Sequence, residues 1–190
     1  TTHVLVAQDS WNALIALVTA VERRGEPTIL QPLVLGQAGN PGQCEVPPGM
    51  PIMLSAHGSA PEVVAAARAR GSYVVDSVCP LVTKVHHEVK VRAGKGFRIV
   101  YVGHEGHEEA VGTMAVAPDS ISRVESVAEV LALPHFDEPV ALLAQTTLSH
   151  RDWEGVAVAV RERYPQVWSP GRSDLCFATT NRQSALMAMA

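Results

Sequence analysis

Arg98-Ile99-Val100-Tyr101-Val102 runs directly into Gly103-His104-Glu105-Gly106-His107-Glu108-Glu109, and this junction decides the fold class. The first five residues are almost wholly apolar and rich in β-branched and aromatic types, which reads as a strand buried on both faces. The next seven are polar and glycine-spaced, and they begin a polar loop, Gly103–Gly112, that opens another helical stretch. The same order recurs on both sides. Upstream, strand Pro51–Leu54 ends at Ser55-Ala56-His57-Gly58, and helix Pro61–Ala69 follows with proline in its first turn. Strand Tyr73–Val75 then leads through Asp76-Ser77-Val78-Cys79-Pro80 into helix Thr83–Ala93. Downstream come a short strand at Ser122–Val124 and helix Val127–Leu131 capped by Ser126. Strand Val140–Ala144 runs into Gln145-Thr146-Thr147-Leu148-Ser149 and helix Asp152–Tyr164. A short strand, Val167–Trp168, leads by a loop to Asp174-Leu175-Cys176, and a last helix is expected from about Asn181.

Towards the N-terminus, His3–Ala7 is a short apolar run, and Asp9 or Ser10 can cap a helix to about Arg24. Thr28–Leu35 reads as a strand, and Gly36–Gly49, rich in Gly and Pro, as a loop. Strands alternating with helices predict an α/β fold with parallel sheets and right-handed crossovers. Sites in such folds gather at the carboxyl ends of strands, where the polar clusters stand here.

Composition narrows the function. Of the 190 residues, 47% are apolar and 18% charged, the profile of an ordinary globular chain. No apolar run reaches the length of a membrane span, and no basic leader with a cleavage signature opens the chain. A net charge of −4 lacks the basic stripe that nucleic acid requires. Three cysteines are too few and too odd for a disulfide framework. A cytoplasmic protein with metal-binding or reactive thiols is expected instead.

Each polar cluster, read alone, admits two accounts. His57, between a strand end and a helix start, serves either to hold an anion or as part of a capping loop. The 103–109 segment, with two histidines and three carboxylates, is open to metal binding, to acid catalysis by Glu109, to anion contact by His107, or to simple solvation. Gln145–Ser149 either orients a substrate hydroxyl or caps the next helix. Cys79 and Cys176 each follow a strand, and each is either a ligand or a small buried side chain. Proline after Cys79 is a pairing that recurs beside iron–sulfur ligands. Cys44 lies in the Pro/Gly-rich loop and is expected to be peripheral.

Together the clusters form a series. Ser55–Gly58, Asp76-Ser77-Val78-Cys79-Pro80-Leu81-Val82-Thr83-Lys84-Val85-His86, Gly103–His107, Gln145–Ser149 and Cys176-Phe177-Ala178-Thr179-Thr180-Asn181-Arg182-Gln183 follow one another in the order and spacing of a known family. Over roughly residues 50–190 the chain resembles the 4-hydroxy-3-methylbut-2-enyl diphosphate reductases. The resemblance implies two parallel-sheet lobes, at 1–78 and 79–175, of a normally three-lobed pseudo-threefold architecture, with 176–190 opening a third lobe that is absent after Ala190. It implies an iron–sulfur cluster with Cys79 and Cys176 as two of its ligands, close together at the inter-lobe cleft. Substrate contacts would come from His57, His107, Thr147 and Asn181, proton supply from Glu109, and orientation of the substrate hydroxyl from Thr146. The implied substrate is a small allylic diphosphate, and the implied electron donor a reduced ferredoxin or flavodoxin. A homo- or hetero-oligomer would complete the third lobe.

The chain also departs from the family. Counting back from Gly25 puts Ala7 at the position of the family's first cluster cysteine, and truncation does not explain that loss. The other diphosphate-binding histidine falls near Gly36. Two thiolates do not reproduce a three-cysteine cluster site. A family-derived protein without redox activity, binding a small phosphorylated ligand, is the alternative expectation.

Overall fold

The computed structural model describes strands β1 (Thr2–Val6) and β2 (Thr28–Pro32) by their backbone, and residues 52–69 and 74–189 with side chains. The expected helix up to Arg24, the Gly36–Gly49 loop, Ala7 and Cys44 lie outside the described residues. The chain divides into two compact units, Thr1–Cys79 and Pro80–Ala190.

In the first unit, β3 (Ile52–Leu54) is followed by α1 (Pro61–Ala69) and β4 (Val74–Asp76). The sheet order is β2-β1-β3-β4, and every pairing is parallel. Ile52, Met53 and Leu54 are all buried, as a strand covered on both faces demands. Ile52, Leu54 and Ala67 form the local core.

The second unit comprises α2 (Pro80–Gly94), β5 (Arg98–Val102), α3 (Glu108–Met114), β6 (Ile121–Val124), α4 (Val127–Ala132), β7 (Val140–Ala144), α5 (His150–Arg163), β8 (Val167–Trp168) and α6 (Phe177–Met189). Its sheet order, β6-β5-β7-β8, repeats the plan of the first, and it too is wholly parallel. The pleat sends alternate residues of β5 and β7 to opposite faces. Val100, Val102, Leu142 and Ala144 pack with Val156 and Val160 of α5 in one core cluster. Ile99, Tyr101, Ala141 and Leu143 pack with Val85 and Val89 of α2 in another. Helices therefore cover the sheet on both sides.

Several boundaries differ from expectation, each for a local reason. Helix α2 begins at Pro80, not Thr83, because proline at the first helical position forgoes an N–H that would have no partner. Helix α5 begins at His150, with the Ser149 hydroxyl accepting from the Asp152 N–H at 3.1 Å. Helix α6 begins at Phe177, not Asn181, because the Cys176 carbonyl already takes the Thr180 N–H at 2.9 Å. No helix among the described residues is long and apolar enough to cross a membrane.

Candidate functional site

Parallel pairing of β5 with β7 brings Val102 beside Ala144, so the two polar segments that follow them leave the sheet side by side. Glu109, in the first turn of α3, is fully buried. A buried carboxylate needs strong donors, and one residue supplies two. The Thr146 N–H reaches Glu109 Oε1 at 2.6 Å, and the Thr146 hydroxyl reaches Oε2 at 2.9 Å. His107 caps α3, its Nδ1 accepting from the Glu109 N–H at 3.1 Å. That bond leaves Nε2 to carry the proton of the neutral ring.

Gln145 ties the neighbouring loop down. Its Oε1 accepts from the His104 N–H at 2.9 Å, and its Nε2 donates to the Thr147 hydroxyl at 2.7 Å. Gly103 sits where nothing larger fits, since a Cβ there would stand 2.7 Å from Tyr101 Cε1 and 3.1 Å from Gln145 Oε1. Beneath it Tyr101 is fully buried. Burial drives its hydroxyl well above the usual phenol range, the Glu109 carboxylate adds to the effect, and Thr113 opposes it. The outer rim is polar: His104 Nδ1 and the Glu105 N–H both meet Glu125 Oε1, at 3.2 and 2.7 Å.

Cys176 joins this arrangement through its backbone, its N–H donating to the Thr146 carbonyl at 2.7 Å. Thr146 is thus held from both sides, by Glu109 and by the cysteine loop. Burial raises the Cys176 thiol, but N–H groups of Thr179 and Ala178, the Thr179 hydroxyl and Arg182 outweigh it. The net shift is downward, which favours thiolate at the mouth of α6. The loop before it is anchored by Asp174, 4% exposed, which takes Lys84 Nζ at 2.8 Å and the Ala144 N–H at 3.3 Å. Asn181 lies on α6 and is exposed, and the helix buries none of its residues.

Within the first unit, Ser55 and His57 share one turn, and Cys79 is tied to that turn by its backbone. The His57 N–H meets Ser55 Oγ at 3.2 Å, and the Cys79 N–H meets the Ala56 carbonyl at 2.9 Å. Gly58, with φ of 84°, makes the reversal that a side chain would strain. The Ser77 hydroxyl donates to the Leu54 carbonyl and pins the Cys79 segment to β3.

The structure therefore brings His107, Glu109, Thr146 and Cys176 into one bonded network in the second unit, and Thr147 into the Gln145 link beside it. His57 and Cys79 stand together in the first unit. Sequence reading passed over Gln145, Lys84 and Asp174 as individual contributors. Only their places inside the quoted motifs hinted at a role.

Five polar clusters with this bonding invite comparison with known proteins, and the sequence model of the LytB protein family matches residues 17–190. The chain belongs to the LytB protein family. Among similar LytB-family proteins, the 4-hydroxy-3-methylbut-2-enyl diphosphate reductase of Rhodopirellula baltica is 48% identical over 145 residues, 75% of this chain and 45% of that protein. The reductase of Tropheryma whipplei is 38% identical over 192 residues, covering 94% of this chain and 61% of the relative. The solved E-1-hydroxy-2-methyl-but-2-enyl-4-diphosphate reductase of Plasmodium falciparum superposes with a TM-score of 0.75 at 28% identity, over 99% of this chain and 55% of that one. A second solved structure, of (E)-4-hydroxy-3-methyl-but-2-enyl diphosphate reductase, the terminal enzyme of the non-mevalonate pathway, gives a TM-score of 0.69 at 25% identity, covering 99% of this chain and 62% of that one. The α/β fold with parallel sheets is thus that of the LytB family. The chain spans about half the length of the curated relatives it matches.

Proposed function

We propose that this chain performs the substrate-holding and proton-delivering share of the reduction of 4-hydroxy-3-methylbut-2-enyl diphosphate to isopentenyl and dimethylallyl diphosphate. The observation that carries the reading is the double hydrogen bond between Thr146 and the buried Glu109 in a LytB-family chain. A carboxyl held beside a hydroxyl can pass a proton through it to a substrate oxygen. In this reading Thr146 orients the substrate hydroxyl, and Glu109 in its protonated form passes its proton through that hydroxyl and is left as the carboxylate that Thr146 holds. His107 and His57 donate to the diphosphate, with Thr147 and Asn181 as further substrate contacts. Residues 1–78 and 79–175 are the first two lobes, and 176–190 opens the third. The setting is cytoplasmic.

Cys79 and Cys176 are proposed as two soft donors to the iron–sulfur cluster that the family resemblance implies. The donor set does not fit a whole cluster. A cubane takes a thiolate at each protein-held iron, and Ala7 has no donor atom. Among the described residues no group of three His, Cys, Asp or Glu side chains could hold a metal ion. Reductive turnover then depends on a further segment or a homo- or hetero-oligomeric partner, with ferredoxin or flavodoxin as electron source. The alanine at position 7 also favours a second reading, in which the chain binds a small phosphorylated ligand without redox chemistry.

Calorimetric titration with the allylic diphosphate tests the first part, with binding expected in the 190-residue chain and lost in His107→Ala. No binding by either protein would end the reading. Iron and acid-labile sulfide after anaerobic reconstitution test the second part. We expect well under the about four irons per chain of an intact cubane. A full complement with turnover in the unaltered chain would show that this chain needs no completing partner.

A further inference from the structure

Beside the carboxyl end of β7, the second unit holds a cavity of about 160 Å³ that none of His107, Glu109 or Thr146 lines. Its walls include Trp153 and Arg161 of α5, and Ser169, Arg172, Ser173 and Asp174 of the loop leading to Cys176. Of the polar side chains in this wall, all but Asp174 can donate hydrogen bonds. Arg161 and Arg172 are exposed, and no carboxylate among the described residues pairs with either. The Ser169 hydroxyl oxygen is buried and has no hydrogen-bond partner among the described residues. Ser173 Oγ accepts from the Leu175 N–H at 3.1 Å, which leaves its own proton to donate. The one carboxylate in the wall is already engaged on both oxygens. Asp174 Oδ1 meets Lys84 Nζ at 2.8 Å, and Oδ2 meets the Ala144 N–H at 3.3 Å.

Two guanidinium groups without a carboxylate partner among the described residues, together with two hydroxyl donors, leave this cavity short of acceptors and locally positive. Arginine forks match the oxygens of tetrahedral oxoanions. Since water takes about 30 Å³ per molecule in the liquid, the volume holds the five heavy atoms of such an anion. We propose that the cavity binds a phosphate-type oxoanion, either free phosphate or the phosphate of a small monoester. The Trp153 face supplies an apolar wall for a short ester group.

The site is independent of the reductase reading, and the test keeps the two apart. The ¹⁵N-labelled 190-residue chain is titrated with sodium phosphate, and separately with glycerol phosphate, against sodium chloride at matched ionic strength. Saturable shifts are expected at the Trp153 indole N–H and at backbone amides of residues 169–175. Arg161→Gln and Arg172→Gln are each expected to weaken the affinity by about tenfold, the loss of one charge-assisted hydrogen bond. Both residues are exposed, so folding is not at risk, and Ser169→Ala provides a third variant. Tighter binding of the monoester assigns the site to esters, and equal or weaker binding assigns it to the free anion. His107→Ala should leave these shifts unchanged whatever it does to diphosphate binding. Shifts that never saturate, that chloride reproduces, or that survive both arginine substitutions overturn the proposal.

Discussion

Thr146→Val removes one hydroxyl and little else, so it isolates the contact on which the site is built. Valine matches threonine in shape and keeps the backbone N–H that bonds Glu109 Oε1 at 2.6 Å. The hydroxyl bond to Oε2 at 2.9 Å is lost, and the carboxylate is fully buried. Hydrogen bonds to charged groups contribute about 1.5–3 kcal/mol, and a buried acceptor left unsatisfied lies towards the upper end. We expect Thr146→Val to destabilise the chain by about 2 kcal/mol, or about 4–8 °C in melting temperature for a chain of this size. The assay is urea denaturation followed by circular dichroism, with an unchanged m-value showing that the same surface unfolds. A cycle with Glu109→Ala separates the pair from its surroundings. In the Glu109→Ala background the Thr146→Val step should cost almost nothing. A loss below about 0.5 kcal/mol in the parent chain, the range of an ordinary surface change, would refute the claim that this hydroxyl holds the carboxylate. An equal loss in both backgrounds would refute it as well.

Gly103→Ala should cost about 1–3 kcal/mol by overpacking, since the new methyl would stand 2.7 Å from the Tyr101 ring; a thermal melt within a degree of the parent would show that the ring can shift. Lys84→Met should cost about 2–4 kcal/mol, somewhat below a fully buried ion pair because Lys84 is 32% exposed. Adding Asp174→Asn should restore part of that loss in the same urea assay, and a double variant worse than the single one would contradict the pairing. Glu125 sits below its ordinary value of 4.5, first through the Glu105 N–H and against a smaller opposing effect of burial, with His104 and Arg123 helping. A depressed carboxyl contributes stability above pH 4.5 that is lost as pH falls through its folded value. Glu125→Gln should therefore flatten the stability profile on the acid side only, and an unchanged slope below pH 4.5 would disprove the coupling.

Local chemistry alone made much of the fold legible. Continuous apolar runs at Arg98–Val102 and Val140–Ala144 coincide with β5 and β7, and Pro61 with its alanine-rich continuation coincides with α1. Ser126 caps α4 as expected, its hydroxyl accepting from the Glu129 N–H at 3.2 Å. These features depend on neighbours in the chain, so sequence carries them. Boundaries such as Phe177 were less legible, because the start of α6 depends on where the Cys176 carbonyl points, and that follows from its N–H bond to Thr146.

The order and identity of the polar clusters were likewise present in the sequence, which suffices for family membership but not for geometry. Tertiary structure alone decided that β5 lies against β7 as well as β6, and strand order is a long-range matter that local propensity does not encode. From that adjacency come the Glu109–Thr146 bonds across 37 positions and the His104–Gln145 bond across 41. Lys84 and Asp174 meet across 90 positions for the same kind of reason: a carboxylate buried at the end of β7 is tolerable only if the fold brings it a cation.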